Sequence, residues 1–305
     1  MASRRSVCSK LFMSYFKRLT LLLFLLTALA GSKLFGASGP VDASSVIPFL
    51  SEWTLVDHVP LRFDAHHTQG MVKIGPNFYL SAVEVLEKTA STKAWKSGYS
   101  RTVGKGIGHL FEFDLQGQLL REIHLGGDTL YHPGGMDFDG QWIWVPVAEY
   151  RPRSFTIIYK VDPVTLKTVE AFRVKDHIGA LVFNRELKTL VGMSWGAEFF
   201  YEWTPDGHLL RKAKNEFSDV QYQDCKYVQG PAMLCSGVLG NAMGRLDLID
   251  LLDFSLVTGM WAIPRTQKGT LLTRNPMAID VSGDGLLYYF LPEDRFGTLY
   301  VYELR

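Results

Sequence analysis

From residue 53 onward, apolar residues fall in short alternating runs bounded by Gly, Pro, Asn and Asp. Runs of this length and period read as β-strands. The clearest group covers 135–140, 141–149, 154–161 and 168–174, with a turn at Asp162-Pro163. The same quartet returns at 180–184, 189–195, 199–204 and 208–214, and again at 225–228, 232–238, 245–250 and 256–263. An earlier group has its outer pair at 108–114 and 118–125, and a long insertion (86–107) precedes that pair. The last group has only three strands, 277–281, 286–291 and 298–304. No long stretch shows a helical period.

Each group opens on a related motif: His67-Thr-Gln-Gly70-Met71, His132-Pro-Gly-Gly135-Met136, His177-Ile-Gly-Ala180-Leu181, Tyr222-Gln-Asp-Cys225-Lys226 and Asn275-Pro-Met-Ala278-Ile279. The intervals are 65, 45, 45 and 53 residues. A period near 45 built from four short strands predicts an all-β, five-bladed β-propeller. The three-stranded last blade lacks an outer strand, and 53–59 is the segment free to supply it. The ring is therefore expected to close by pairing this N-terminal strand with the C-terminal blade, which removes a free sheet edge.

Inner strands of a propeller surround the axis, so the start of each one opens onto a common mouth. His67, His132 and His177 occupy that level in three successive blades, and Tyr222 and Asn275 complete the ring. Three converging imidazoles suit a divalent metal such as Zn, with Ca considered beside it. They equally suit an unmetallated polar pocket, or a structural bond to a neighbouring carbonyl. Glu84 and Glu149 end second strands and are candidate general bases. Arg101, Arg151 and Arg274, with neighbouring lysines, crowd the same loops and point to an anionic ligand.

With 32 basic and 31 acidic residues, a net charge of +1 argues against a nucleic-acid partner. No GxGxxG, P-loop or HExxH run occurs, so none of these catalytic motifs assigns the chemistry. Residues 1–30 read as a signal peptide: Arg4, Arg5, Lys10, Lys17 and Arg18 precede an apolar run from Leu19 to Ala30, which ends in Ala28-Leu29-Ala30. That run is shorter than the roughly 20 residues a membrane span needs. Residues 31–51 are then a linker and 52–305 the propeller, in a secreted or periplasmic protein with no stable membrane span after cleavage. In an oxidising compartment Cys225 and Cys235 can bridge across the hairpin at Gln229-Gly230-Pro231; two buried thiols are the other reading.

The runs HHTQGM, GKGIGHLF, YHPGGMDFDG, WVPVAEYRPRS, KDHIGA, YQDCKYV and TRNP resemble a family of uncharacterised secreted β-propeller proteins, a domain of unknown function. The resemblance spans most of the chain from about residue 52 and implies the propeller, with no activity attached. His67-Thr-Gln-Gly-Met71 and Phe78-Tyr-Leu-Ser81 are also similar to the Phe-Thr-Gln-Gly-Leu and Leu-Tyr-Glu-Ser runs of five-bladed glutaminyl cyclases. Leu80 stands where those enzymes carry a glutamate implicated in catalysis, so this likeness extends to the fold alone.

Together these features lead us to expect a polar pocket on the upper face, in a metal-assisted, hydrolase-like enzyme acting on a small anionic molecule. The alternative is a non-catalytic propeller that binds a small molecule or a protein.

Overall fold

A computed structural model describes residues 53–93, 99–217, 219–240, 242–261, 264–282 and 285–304. The expected signal peptide and linker lie outside them. Five sheets form the ring. Blade one contains β2 (His67–Ile74), β3 (Asn77–Glu87), β4 (Lys105–Phe113) and β5 (Leu119–Leu125). Blade two contains β6 (Leu130–Pro133) and β7 (Asp137–Phe138), both paired to β8 (Ile143–Glu149), then β9 (Thr156–Val161) and β10 (Thr168–Val174). Blade three is β11 (Ile178–Asn184), β12 (Thr189–Ser194), β13 (Phe199–Trp203) and β14 (Leu209–Lys214). Blade four is β15 (Val220–Tyr227), β16 (Ala232–Leu239), β17 (Met243–Asp250) and β18 (Leu256–Trp261). Blade five is β19 (Met277–Ser282), β20 (Gly285–Phe290) and β21 (Thr298–Leu304), completed by β1 (Trp53–Pro60).

The pairing of β1 with β21 is antiparallel, Trp53 opposite Leu304 and Pro60 opposite Thr298. The expected closure is therefore present. The core lies between blades. Phe78, Leu80, Phe111 and Phe113 of blade one pack with Tyr289 and Leu291 of blade five, while Leu234, Leu246 and Leu248 of blade four meet Tyr288 and Phe290. Leu80, the departure from the cyclase pattern, is thus an ordinary core residue.

The small residue of the repeated motif has a steric cause. Inner strands approach so closely at the axis that a Cβ on Gly70 would lie 2.6 Å from the Gly134 carbonyl oxygen. Gly135 donates its amide to the Gly179 carbonyl at 2.8 Å, and Leu181 donates to the Gly135 carbonyl at 3.0 Å. These bonds run from blade two to blade three. They draw Gly135 out of blade two's own ladder, although Gly134 still donates to the Pro146 carbonyl at 2.9 Å, so the inner strand expected over 135–140 is reduced to β7 and set apart from β6.

The axis is closed by an ion pair. The buried Asp224 carboxylate binds the buried Lys226 ammonium. Asp224 Oδ2 also accepts the amides of Met71 at 3.1 Å and Met277 at 3.3 Å. Lys226 Nζ donates to the Met136 carbonyl at 2.8 Å. One pair thereby ties together inner strands of blades one, two, four and five. Burial raises the Asp224 carboxyl to about 6, against the opposing pull of Lys226 and the amides. Beside it, Cys225 and Cys235 are directly opposite in the β15–β16 ladder, with Cα atoms 4.0 Å apart, and are disulfide-bonded. Of the two readings open for these cysteines, the bridge is the one observed.

Candidate functional site

The three histidines meet at one mouth. They line a cavity of about 410 Å³ together with Gln69, Tyr150, Ser194, Trp195 and Gln221. His132 lies in the middle, its ring centroid 6.5 Å from His67 and 5.9 Å from His177. Tyr150 stacks on it at 4.1 Å. Both of its ring nitrogens are buried and have no hydrogen-bond partner among the described residues. Burial, followed by the proximity of His177 and His67, holds His132 well below the usual imidazole value, so it is neutral at pH 7. His177 donates Nδ1–H to the Glu149 carbonyl at 2.8 Å, and burial lowers it to about 4.

His67 is the accessible member. Its Nδ1 lies 3.0 Å from Asp294 Oδ1. Asn275 donates from Nδ2 to the same oxygen at 3.0 Å and to the Pro292 carbonyl at 3.1 Å. Burial pushes the Asp294 carboxyl up, but the bonds from His67, Asn275 and the Thr68 amide outweigh it and leave it lowered and ionised. This is a carboxylate–imidazole pair with one face toward solvent. Asn275 therefore acts by fixing Asp294.

The expected carboxylates stand elsewhere. Glu149 accepts from Thr129 at 2.9 Å and pairs with Arg151 at 2.7 Å; only its backbone carbonyl touches a mouth histidine. Arg151 itself packs 3.6 Å from the centre of the Tyr99 ring. Glu84 faces His109 within blade one, at 3.8 Å. Neither glutamate lines the histidine cavity. Tyr222 lines it, yet its hydroxyl donates to the buried Asp247 at 2.6 Å and is committed inward.

Arg101 does reach the mouth, its guanidinium 5.2 Å from the Trp195 ring and 5.6 Å from Tyr150, in cation–π geometry. Arg274 lines an adjoining cavity of about 400 Å³ with Arg265 and Lys268. This second cavity shares His67, Gln221 and Gln223 with the first, and among the described residues no carboxylate lines it. Of the insertion lysines, Lys96 falls outside the described residues. Sequence reasoning missed Asp294, Tyr150 and Trp195. Glu293 follows the second strand of the last blade, one residue before Asp294, the carboxylate that pairs with His67.

As a metal centre, the His67, His132 and His177 set is open. It is absent from the described groups whose ligand atoms all lie within 4.8 Å of one another. Among the described residues there are two such groups, both sharing His109 of blade one: His66, Glu84 and His109, and His109, Glu122 and His124. Metal binding by His/Glu groups is thus possible, at a different place from the mouth.

A family model described as a family of unknown function (DUF6454) matches residues 47–304. No curated protein matches the chain. Among solved structures, a luciferin-regenerating enzyme is similar at 9% identity, covering 84% of this chain and 95% of that one, with a TM-score of 0.49. The PQQ-bound aldose sugar dehydrogenase of Streptomyces coelicolor is similar at 10% identity over 85% and 99%, with a TM-score of 0.43. A DUF4221 member from Bacteroides vulgatus gives 10%, 84% and 99%, and 0.38. None of the three informs the site.

Proposed function

Because the chain belongs to the DUF6454 family of unknown function, whose description carries no activity, we propose a function from the site's own chemistry. The mouth is a hydrolase-like site for a small anionic molecule. The observation that carries this reading is His132: a structural histidine would have its ring nitrogens satisfied, and this one has neither satisfied although it is buried. A ligand placed over it can supply the missing bonds. The anionic end would lie toward Arg265, Lys268 and Arg274, and the reacting group over His67. The His67–Asp294 pair replaces Glu84 and Glu149 as the general base, with Asp294 orienting the imidazole that takes a proton from water. The expected compartment is secreted or periplasmic. The Cys225–Cys235 bridge is consistent with an oxidising environment, and no described helix is long and apolar enough to cross a membrane.

The test pairs thermal stabilisation by inorganic phosphate and citrate with turnover of chromogenic aryl phosphates and carboxylated aryl esters. Asp294→Asn should lower turnover about 10²–10⁴-fold while leaving melting nearly unchanged. Absence of both stabilisation and turnover would sink the reading. A second reading is a non-catalytic binding module, favoured by the rim of Arg101 stacked on Trp195 and Tyr150. It expects stabilisation without turnover.

A further inference from the structure

Blade one carries a second constellation, outside the mouth. In β4, His109 stands directly opposite His124 of β5 and Ala82 of β3. Strand alternation puts Glu84, two residues beyond Ala82, and Glu122, two before His124, on that same face. His66, from the connection between β1 and β2, covers the group with its ring 4.8 Å from His109. The approach comes from an unusual backbone: His66 has φ 52°, and its carbonyl accepts the Arg295 amide at 2.6 Å.

The hydrogen bonding of His109 is one-sided. Nδ1 lies 2.6 Å from Glu122 Oε1. A carboxylate can only accept, so the proton is on Nδ1, and Nε2 presents a lone pair. That Nε2 is buried, has no hydrogen-bond partner, and faces Glu84 Oε2 at 3.8 Å. A lone pair opposed to a carboxylate is repulsive unless a cation stands between them. Glu122 is then the carboxylate that fixes the tautomer of a ligating imidazole. His66 is held through its backbone: its amide donates to Asp64 Oδ1 at 2.9 Å, and that oxygen lies 3.7 Å from the ring Nδ1, beyond hydrogen-bond reach. Bonds of about 2.0–2.2 Å at tetrahedral angles separate two zinc ligand atoms by roughly 3.4 Å. The Glu84–His109 pair is already close to that.

We propose that His66, Glu84 and His109 form a divalent transition-metal site of the zinc class, with an open fourth position, supported by Glu122. Two nitrogens and one carboxylate oxygen favour zinc over calcium, which takes six to eight oxygens. The site adjoins the mouth through the His66–His67 peptide, so a bound ion also anchors the segment that carries His67. It does not depend on the mouth being catalytic.

Zinc(II) alone is the first probe. Metal-stripped protein should bind one equivalent at micromolar or better affinity in calorimetry, and cobalt(II) substitution should give the intense visible bands of a four-coordinate ion. Glu84→Gln and His66→Asn, both at incompletely buried positions, should each weaken zinc at least tenfold and remove those bands. Because His109→Ala can fail to fold, Glu122→Gln is the companion variant, and it should weaken zinc about 10–100-fold. The His67→Ala/His132→Ala double variant should bind zinc as the parent does. The proposal is overturned if the parent binds no zinc, or if zinc survives Glu84→Gln and His66→Asn. It is overturned equally if zinc is lost only in the mouth double variant, which would place the ion among the mouth histidines.

Discussion

Removing the Asp224 side chain, as Asp224→Ala, should be the most damaging single change on the axis. It strands the buried Lys226 ammonium without its counter-ion and leaves the amides of Met71 and Met277 without their acceptor. Breaking a buried ion pair from one side costs about 3–5 kcal/mol. Each stranded amide risks roughly 1–3 kcal/mol more, although water entering the gap would recover part of it. We take about 4 kcal/mol as the expectation, a large share of the roughly 5–15 kcal/mol that holds a typical domain together. At approximately 2–4 °C per kcal/mol this is a fall of roughly 8–16 °C in melting temperature. Urea unfolding, followed by tryptophan fluorescence and circular dichroism, gives the free energy directly. Asp224→Ala/Lys226→Met removes the stranded charge and should recover at least half of the loss. A single variant within about 1 kcal/mol of the parent, or a double variant no better than the single, would refute the assignment of the pair as the axial tie.

Three further outcomes follow from the same geometry. Because His177 is lowered to about 4 in the folded protein, the unfolded chain binds the extra proton between about pH 6.5 and 4; stability should therefore fall as pH drops through that window, by up to roughly 3 kcal/mol, and His177→Gln should flatten melting temperature plotted against pH. Cys225→Ser/Cys235→Ser, or full reduction, should cost about 2–3 kcal/mol in urea unfolding for so short a loop. Arg274→Glu should abolish stabilisation by citrate without moving the melting temperature of the ligand-free protein, since Arg274 is exposed on the cationic cavity.

Most strands were legible because a propeller repeats one packing problem, and alternation together with turn residues marks each solution. Blade two's inner strand was the exception: the Gly134-Gly135 pair looks like ordinary strand, and only the neighbouring blade's Gly179 explains the detour. At the mouth, the motif placed His67, His132 and His177 on one level, but strand period says nothing of a loop's direction. It could not choose between Glu293 and Asp294, and Glu149 spent its carboxylate on Thr129 and Arg151. Lys226 was hidden for a different reason: a lysine in a strand normally reads as a solvent-facing position, and its burial depends on an aspartate two residues earlier. The blade-one cluster was within reach, since pairing β4 with β5 sets His109 opposite His124.

The seam between β1 and β21 has a consequence for biogenesis. Every other blade can zip up from neighbouring hairpins as it emerges, but this one joins strands from opposite ends of the described chain. Its formation carries the loop-closure cost of the whole ring, which favours its pairing after the more local hairpins. Until then the free edge of β21 is a docking strip for any extended peptide, and β1 carries the exposed Leu55 and Val56. The period of greatest vulnerability to aggregation and proteolysis is thus the interval before the circle shuts, and a chaperone serving this protein would have to shield that one edge.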